Sequence, residues 1–136
     1  MNAKRNSFLI VVAAVEAATG LGLLLLPSVA FALLLGLEGA AVEAIFVGRI
    51  AGAALVAIGV ASWIARKDEL NPSLFGLLVG ILIYNAAVSI LLLYAAAALK
   101  IAGVMLWPTI VFHALLAVWG GVLLRRNSSE TQLGSR

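Results

Sequence analysis

The 136-residue chain contains no cysteine, which excludes disulfides, thiol redox chemistry and cysteine-ligated metal and leaves the redox compartment open. Charge is nearly as scarce. Asp, Glu, Lys and Arg together make up 11% of the residues, against about 25% in a soluble domain, too few to coat a water-soluble globule. A single histidine, with no HxxE or HxxxH spacing around it, argues against a protein metal site. It cannot supply two axial haem ligands within one chain. No nucleophile stands beside a base in the sequence, and no glycine-rich loop follows a strand pattern.

What fills the chain instead is apolar. Hydrophobic residues account for 64%, and the mean hydropathy is +1.16. A hydrocarbon core of about 30 Å needs roughly 20 apolar residues per helix, and four such spans use up most of the length. The expected fold is therefore all-α: an integral membrane four-helix transmembrane bundle, forming a single domain over residues 1–126, with no soluble catalytic domain.

The spans are punctuated by charge, proline and glycine. The first covers about residues 8–26 and stops at Pro27. It reads as a retained helix rather than a signal peptide, because Glu16 interrupts it and no Ala-x-Ala cleavage site follows. Residues 27–36 are too short to span alone, and either continue the first helix past a kink or lie at the membrane surface. The second span covers about 44–65. Asn71-Pro72-Ser73 then signals a turn and a helix start before the third, about 74–99. The fourth covers about 104–124, and Arg125-Arg126 ends it. Residues 127–136 read as a polar, disordered tail.

The formal charge of +3 and pI near 9.8 do not point to nucleic acid, because the charges cluster at the ends of apolar runs, where topology and lipid headgroups account for them. The expected surroundings are a lipid bilayer. Lys4, Arg5, Arg66, Lys67, Arg125, Arg126 and Arg136 fall on one side of a four-span chain, and Lys100, Glu38 and Glu43 on the other. This asymmetry predicts both termini in the cytoplasm and a multi-pass protein of the inner (plasma) membrane. Trp63 and Trp119 fall near the inner boundary, Tyr94 and Trp107 near the outer one.

Helices in lipid pack through small residues. Gly48 and Gly52 form a GxxxG pair in the second span, with Gly59 two turns on. Gly76 and Gly80 form another in the third, extended by Tyr84 and Ala87. Both pairs fit close packing within one bundle, or a face for a homo-oligomer or a larger membrane complex.

Four polar residues fall inside the spans, one on each: Glu16, Arg49, Asn85 and His113. At 1.5 Å per residue, Glu16 lies about 12 Å from its inner helix end, and Asn85 and His113 about 16 Å from theirs. Arg49 is higher, at about 24 Å. Glu16 shares a face with Ala13, Thr19 and Gly20; His113 shares one with Thr109, Ala117 and Gly120; Asn85 sits one turn from Ser89. An ionisable group at the bilayer centre costs at least about 2.5–3.5 kcal/mol unless paired, and such groups often mark a functional site. Glu16, Asn85 and His113 are accordingly expected to share one interior space with Arg49 above them. Their roles are ligand or proton binding or, alternatively, holding the helices in register.

Two resemblances attach to these residues. The opening FLIVVAAVEAATG resembles the first helix of small multidrug resistance transporters, which carry a membrane-embedded glutamate at this point; this likeness implies proton-for-cation exchange at Glu16. It covers one helix, and Arg49 and His113 are foreign to that family. The run GLGLLLLP, a short apolar stretch to Gly36, and the helix GRIAGAALVAIGVASWIAR together resemble the small DoxX-like four-helix membrane proteins. That likeness implies the four-helix fold and draws attention to Arg49, without supplying a mechanism.

The expected function is binding of a small ligand or relay of protons at the intramembrane cluster, in a transport-related role. The alternatives are a non-catalytic accessory subunit and, third, a membrane-embedded enzyme acting on a lipid or quinone. No catalytic residue and no cofactor is named by the sequence.

Overall fold

A computed structural model describes the backbone of residues 2–133 and the side chains of residues 3–125. The chain forms five helices: α1 (Asn2–Leu25), α2 (Pro27–Leu35), α3 (Val42–Ala65), α4 (Pro72–Ala97) and α5 (Leu106–Leu133). Four of them, α1, α3, α4 and α5, are long and apolar enough to cross a membrane. Their outward faces carry large apolar side chains such as Leu25, Val42, Ile64, Ile90 and Val118, a surface suited to hydrocarbon.

The punctuation residues act through their backbones. Leu26 donates its N–H to Gly22 at 2.8 Å, but Pro27 has no N–H with which to extend the ladder. Leu26 adopts φ −131° and ψ 51°, and the chain restarts as α2, a separate short helix rather than a continuation of α1. Gly36 closes α2 in the left-handed conformation at φ 69°, where glycine carries no Cβ penalty. Asn71 caps α4: its side-chain oxygen accepts from the Leu74 N–H at 2.9 Å, ahead of Pro72 in the first turn. At the other end of α4, Lys100 takes φ 56° and the Ile101 N–H reaches back to the Ala95 carbonyl.

Helix limits differ from the sequence expectation at the ends. α1 begins at Asn2 rather than Phe8, so the basic lead is its first turn. α5 runs on to Leu133, so residues 127–133 of the 127–136 segment expected to be a disordered tail are helical instead; residues 134–136 lie outside the described residues.

α1 and α3 form one closely packed antiparallel pair, and α4 and α5 the other. Glycine sets the α1–α3 distance. A Cβ at Gly52 would sit 2.6 Å from the Gly20 carbonyl oxygen, and one at Gly20 would sit 2.7 Å from that of Gly52. Gly59 packs on the backbone of Ala13 and Ala17, and Gly48 receives the ring of Phe31 from α2. By contrast, Gly76 and Gly80 have nothing within 4 Å of where a Cβ would be. The GxxxG pair of α4 thus packs against none of the described residues.

The two pairs are joined at both ends. At the end holding the start of α1 and the α3–α4 loop, Phe8, Leu9 and Val12 pack with Leu74, Leu78, Ile81, Leu116 and Leu123. Trp119 stands edge-on to Phe8 at 5.3 Å, placing it in this core rather than in an aromatic belt. Arg5 is buried there and donates to the Asp68 carbonyl at 2.6 Å. Trp63 is exposed, and the Arg66 guanidinium lies 3.7 Å over its ring. At the opposite end the Met105 N–H donates to the Leu33 carbonyl at 2.9 Å, and Gly103 lies against the carbonyl of Leu34 where no side chain fits.

A side chain at Gly52 forces two backbones apart, whereas one at Gly80 meets open space. Gly52→Leu is therefore expected to lower the melting temperature in detergent by about 5 °C or more. Val47→Leu, at an outward position, and Gly80→Leu should leave it within about 2 °C. Thermal unfolding of the three purified variants checks this.

Candidate functional site

α1, α4 and α5 each place a polar residue near the middle of a span. Glu16 is 1% exposed, Asn85 0% and His113 6%. Helix geometry explains why they face inward. On α1, Ala13, Ala17 and Gly20 are drawn against α3, and Phe8 and Val12 point into the apolar core. Glu16 falls between these two stripes on a 100° per residue wheel. On α4, Asn85 is one turn from the buried Ile81. On α5, His113 is three residues from each of the buried Ile110 and Leu116.

Asn85 and His113 form a direct pair, with 2.7 Å between Oδ1 and Nδ1. The orientation of the amide is fixed by its other half: Nδ2 donates to the Ile81 carbonyl at 2.8 Å, so the oxygen must face the ring. His113 Nδ1 therefore carries the hydrogen, and in the neutral ring Nε2 offers a lone pair. Tyr84, half-buried, stands edge-on to His113, with ring centroids 5.8 Å apart, and its phenol lies near the Glu16 carboxyl. The sequence Glu16, Tyr84, His113, Asn85 thus forms one continuous layer across three helices. Glu16 Oε1 is buried without a hydrogen-bond partner.

Arg49 is not in this layer. It is exposed on α3, with no hydrogen bond or ion pair to another described residue. Its position in the span gives its depth, but the turn of α3 that buries Gly48 and Gly52 against α1 and α2 sends Arg49 to the outside. Tyr84, in contrast, belongs to the layer, although its spacing from Gly80 suggests only a packing role. A tyrosine at mid-span, far from either interface where its hydroxyl would be wet, was the available signal.

Above the layer lies a cavity of about 540 Å³ between α1, α2 and α5. Val15, Thr19 and Leu23 of α1, Val29 and Leu33 of α2, and Pro108, Thr109, Phe112 and His113 of α5 are among its walls. Its polar groups are His113 and the two threonines. Thr19 and Thr109 are the residues that share the Glu16 and His113 faces in the sequence pattern. The described residues contain no group of three His, Asp or Glu side chains able to hold a metal ion. The arrangement offers a hydrogen-bonding imidazole at one end of an apolar chamber, next to the buried Glu16 carboxyl and the half-buried Tyr84 phenol.

The Asn85–His113 contact is expected to be energetically coupled. Asn85→Ala leaves the His113 Nδ1–H without its acceptor and should cost about 1–3 kcal/mol. Asn85→Ala combined with His113→Leu should cost less than the sum of the two single changes. A double-mutant cycle by chemical or thermal unfolding in detergent measures this; additivity would mean that the pair contributes nothing as a pair.

No protein-family model, curated protein or solved structure matches the chain.

Proposed function

We propose that the protein is a membrane-embedded binding protein, probing a small ligand with its intramembrane polar layer in a transport-related role. The observation that carries this reading is the junction of two features. A mid-span layer of buried Glu16, Asn85 and His113, with half-buried Tyr84 beside them, borders a chamber of about 540 Å³, within the range of about 300–1,000 Å³ usual for small-molecule sites. A layer serving only to register helices needs no such chamber. Glu16 and Tyr84 form the part of the layer suited to holding or passing a proton, and His113 the part that meets the ligand.

Purification in mild detergent, followed by mass spectrometry, tests the reading. A small molecule should remain with the wild-type protein and be lost on filling the chamber by Leu33→Trp. Glu16→Gln should fold with a melting temperature within about 2 °C of wild type and alter ligand retention. Retention of nothing by wild type, with Glu16→Gln changing stability alone, would instead favour an accessory subunit. That second reading has its own support: Gly76 and Gly80 of α4 lie open, as they would on a helix that packs against another chain.

The same proposal includes orientation. The lysine and arginine asymmetry supports both termini in the cytoplasm, and with that orientation the chamber lies in the outer half of the inner membrane. A periplasmic reporter fused after Arg126 should be silent and one inserted near Gly39 active. The reverse pattern would invert the orientation.

A further inference from the structure

We infer that the ligand of the chamber is an uncharged amphiphile: an apolar body carrying a hydroxyl head that meets His113. This rests on the ligand-binding reading above and specifies its class.

The walls decide the charge. Among the described residues no Asp, Glu, Lys or Arg lines the chamber. Glu16 is buried in the layer and is not one of the chamber's walls, and Arg49 faces outward on a helix that contributes no wall. An ammonium or phosphate head would enter hydrocarbon without a counter-charge, at a cost of several kcal/mol. A neutral head avoids that cost.

The polar groups decide the head. His113 commits Nδ1 to Asn85, and Nε2 is left to accept. Thr19 and Thr109 supply hydroxyls able both to donate and to accept. A hydroxyl is the smallest neutral group that matches this set, because one atom donates to Nε2 while accepting from a threonine. An ether or ester accepts only and leaves Nε2 unmet. The remaining walls, from Leu23 on α1 and Leu26 at the break to Val29 and Leu33 on α2 and Phe112 on α5, fit an alkyl or polycyclic body and read little of its detail.

Matched photoreactive probes test the assignment on the full chain in lipid nanodiscs. Four long-chain probes share one diazirine-bearing alkyl body and differ in the head: alcohol, methyl ether, primary amine and carboxylic acid. Crosslinks are mapped by peptide mass spectrometry. The alcohol should label α2 and the first half of α5 saturably, at least tenfold more strongly than the other three. His113→Phe should remove that preference while keeping labelling of the apolar walls, and Thr109→Val should weaken it by several fold. Leu33→Trp should block all four probes. Should His113→Phe fail to fold, Thr109→Val and the comparison among heads still decide the matter. Equal or stronger labelling by the amine or acid would overturn the uncharged class, and equal labelling by the ether would overturn the hydroxyl; either result leaves the chamber as a ligand site. Absence of saturable labelling by every probe would overturn the class together with the ligand-binding reading.

Discussion

The contact of bare backbone between α1 and α3 governs the rest of the structure. Inside a bilayer the hydrophobic effect does not draw helices together, and close packing of small residues takes its place. Gly20 and Gly52 each occupy the space in which the other's side chain would stand, and Gly59 repeats the arrangement against Ala13 and Ala17. This interface fixes the rotation of both helices at once. With Ala13, Ala17 and Gly20 turned toward α3, Glu16 has to point at α4, and its carboxyl meets Tyr84. With Gly48 and Gly52 turned inward, Arg49 has to point out. A single packing face thereby selects which of two charged residues enters the interior.

The bundle is layered along its length. An apolar core fills the end that holds the start of α1, a polar layer crosses the middle, and a chamber opens beyond it. The larger void lies in the region where α2 replaces a full-length neighbour. Pro27 is responsible. By ending α1 and restarting the helix at once, it substitutes nine residues of α2 for a spanning helix and leaves the chamber between α1, α2 and α5. The hydrogen-bonding groups that survive in its walls are those that hydrocarbon tolerates: hydroxyls and a ring whose other nitrogen is already satisfied.

Sequence alone was enough for the number of long helices, because apolar length is a one-dimensional property and Pro27, Gly36, Asn71 and Pro72 mark the breaks through backbone chemistry. It also placed Glu16, Asn85 and His113 at similar depth, since depth is residue count multiplied by rise. Facing was harder. The spans are apolar all round, so helical periodicity gives little hint of which side is buried, and Arg49 and Tyr84 exchanged the roles that their chemistry suggests. The two GxxxG pairs are indistinguishable as motifs, yet Gly52 meets a backbone and Gly80 meets nothing. Motif spacing states that close approach is allowed and is silent about the partner. The chamber was invisible for a similar reason: it is the product of three helices and a turn, and no local pattern encodes a void.

The bond from the Met105 N–H to the Leu33 carbonyl, with Gly103 seated beneath Leu34, bears on how the molecule assembles. α1, α2 and α3 form a unit whose glycine interface closes without help from later residues, and α4 and α5 form a second. The chamber takes two walls from the first unit and one from the second, so neither half possesses it in isolation. The first three helices alone leave the groove without its third wall, and the chain near residue 103, docked against α2, carries α5 into that place, with the groove still partly open to its surroundings. The chamber is thus a joint product of the two halves of the chain, and a molecule filling it would touch both.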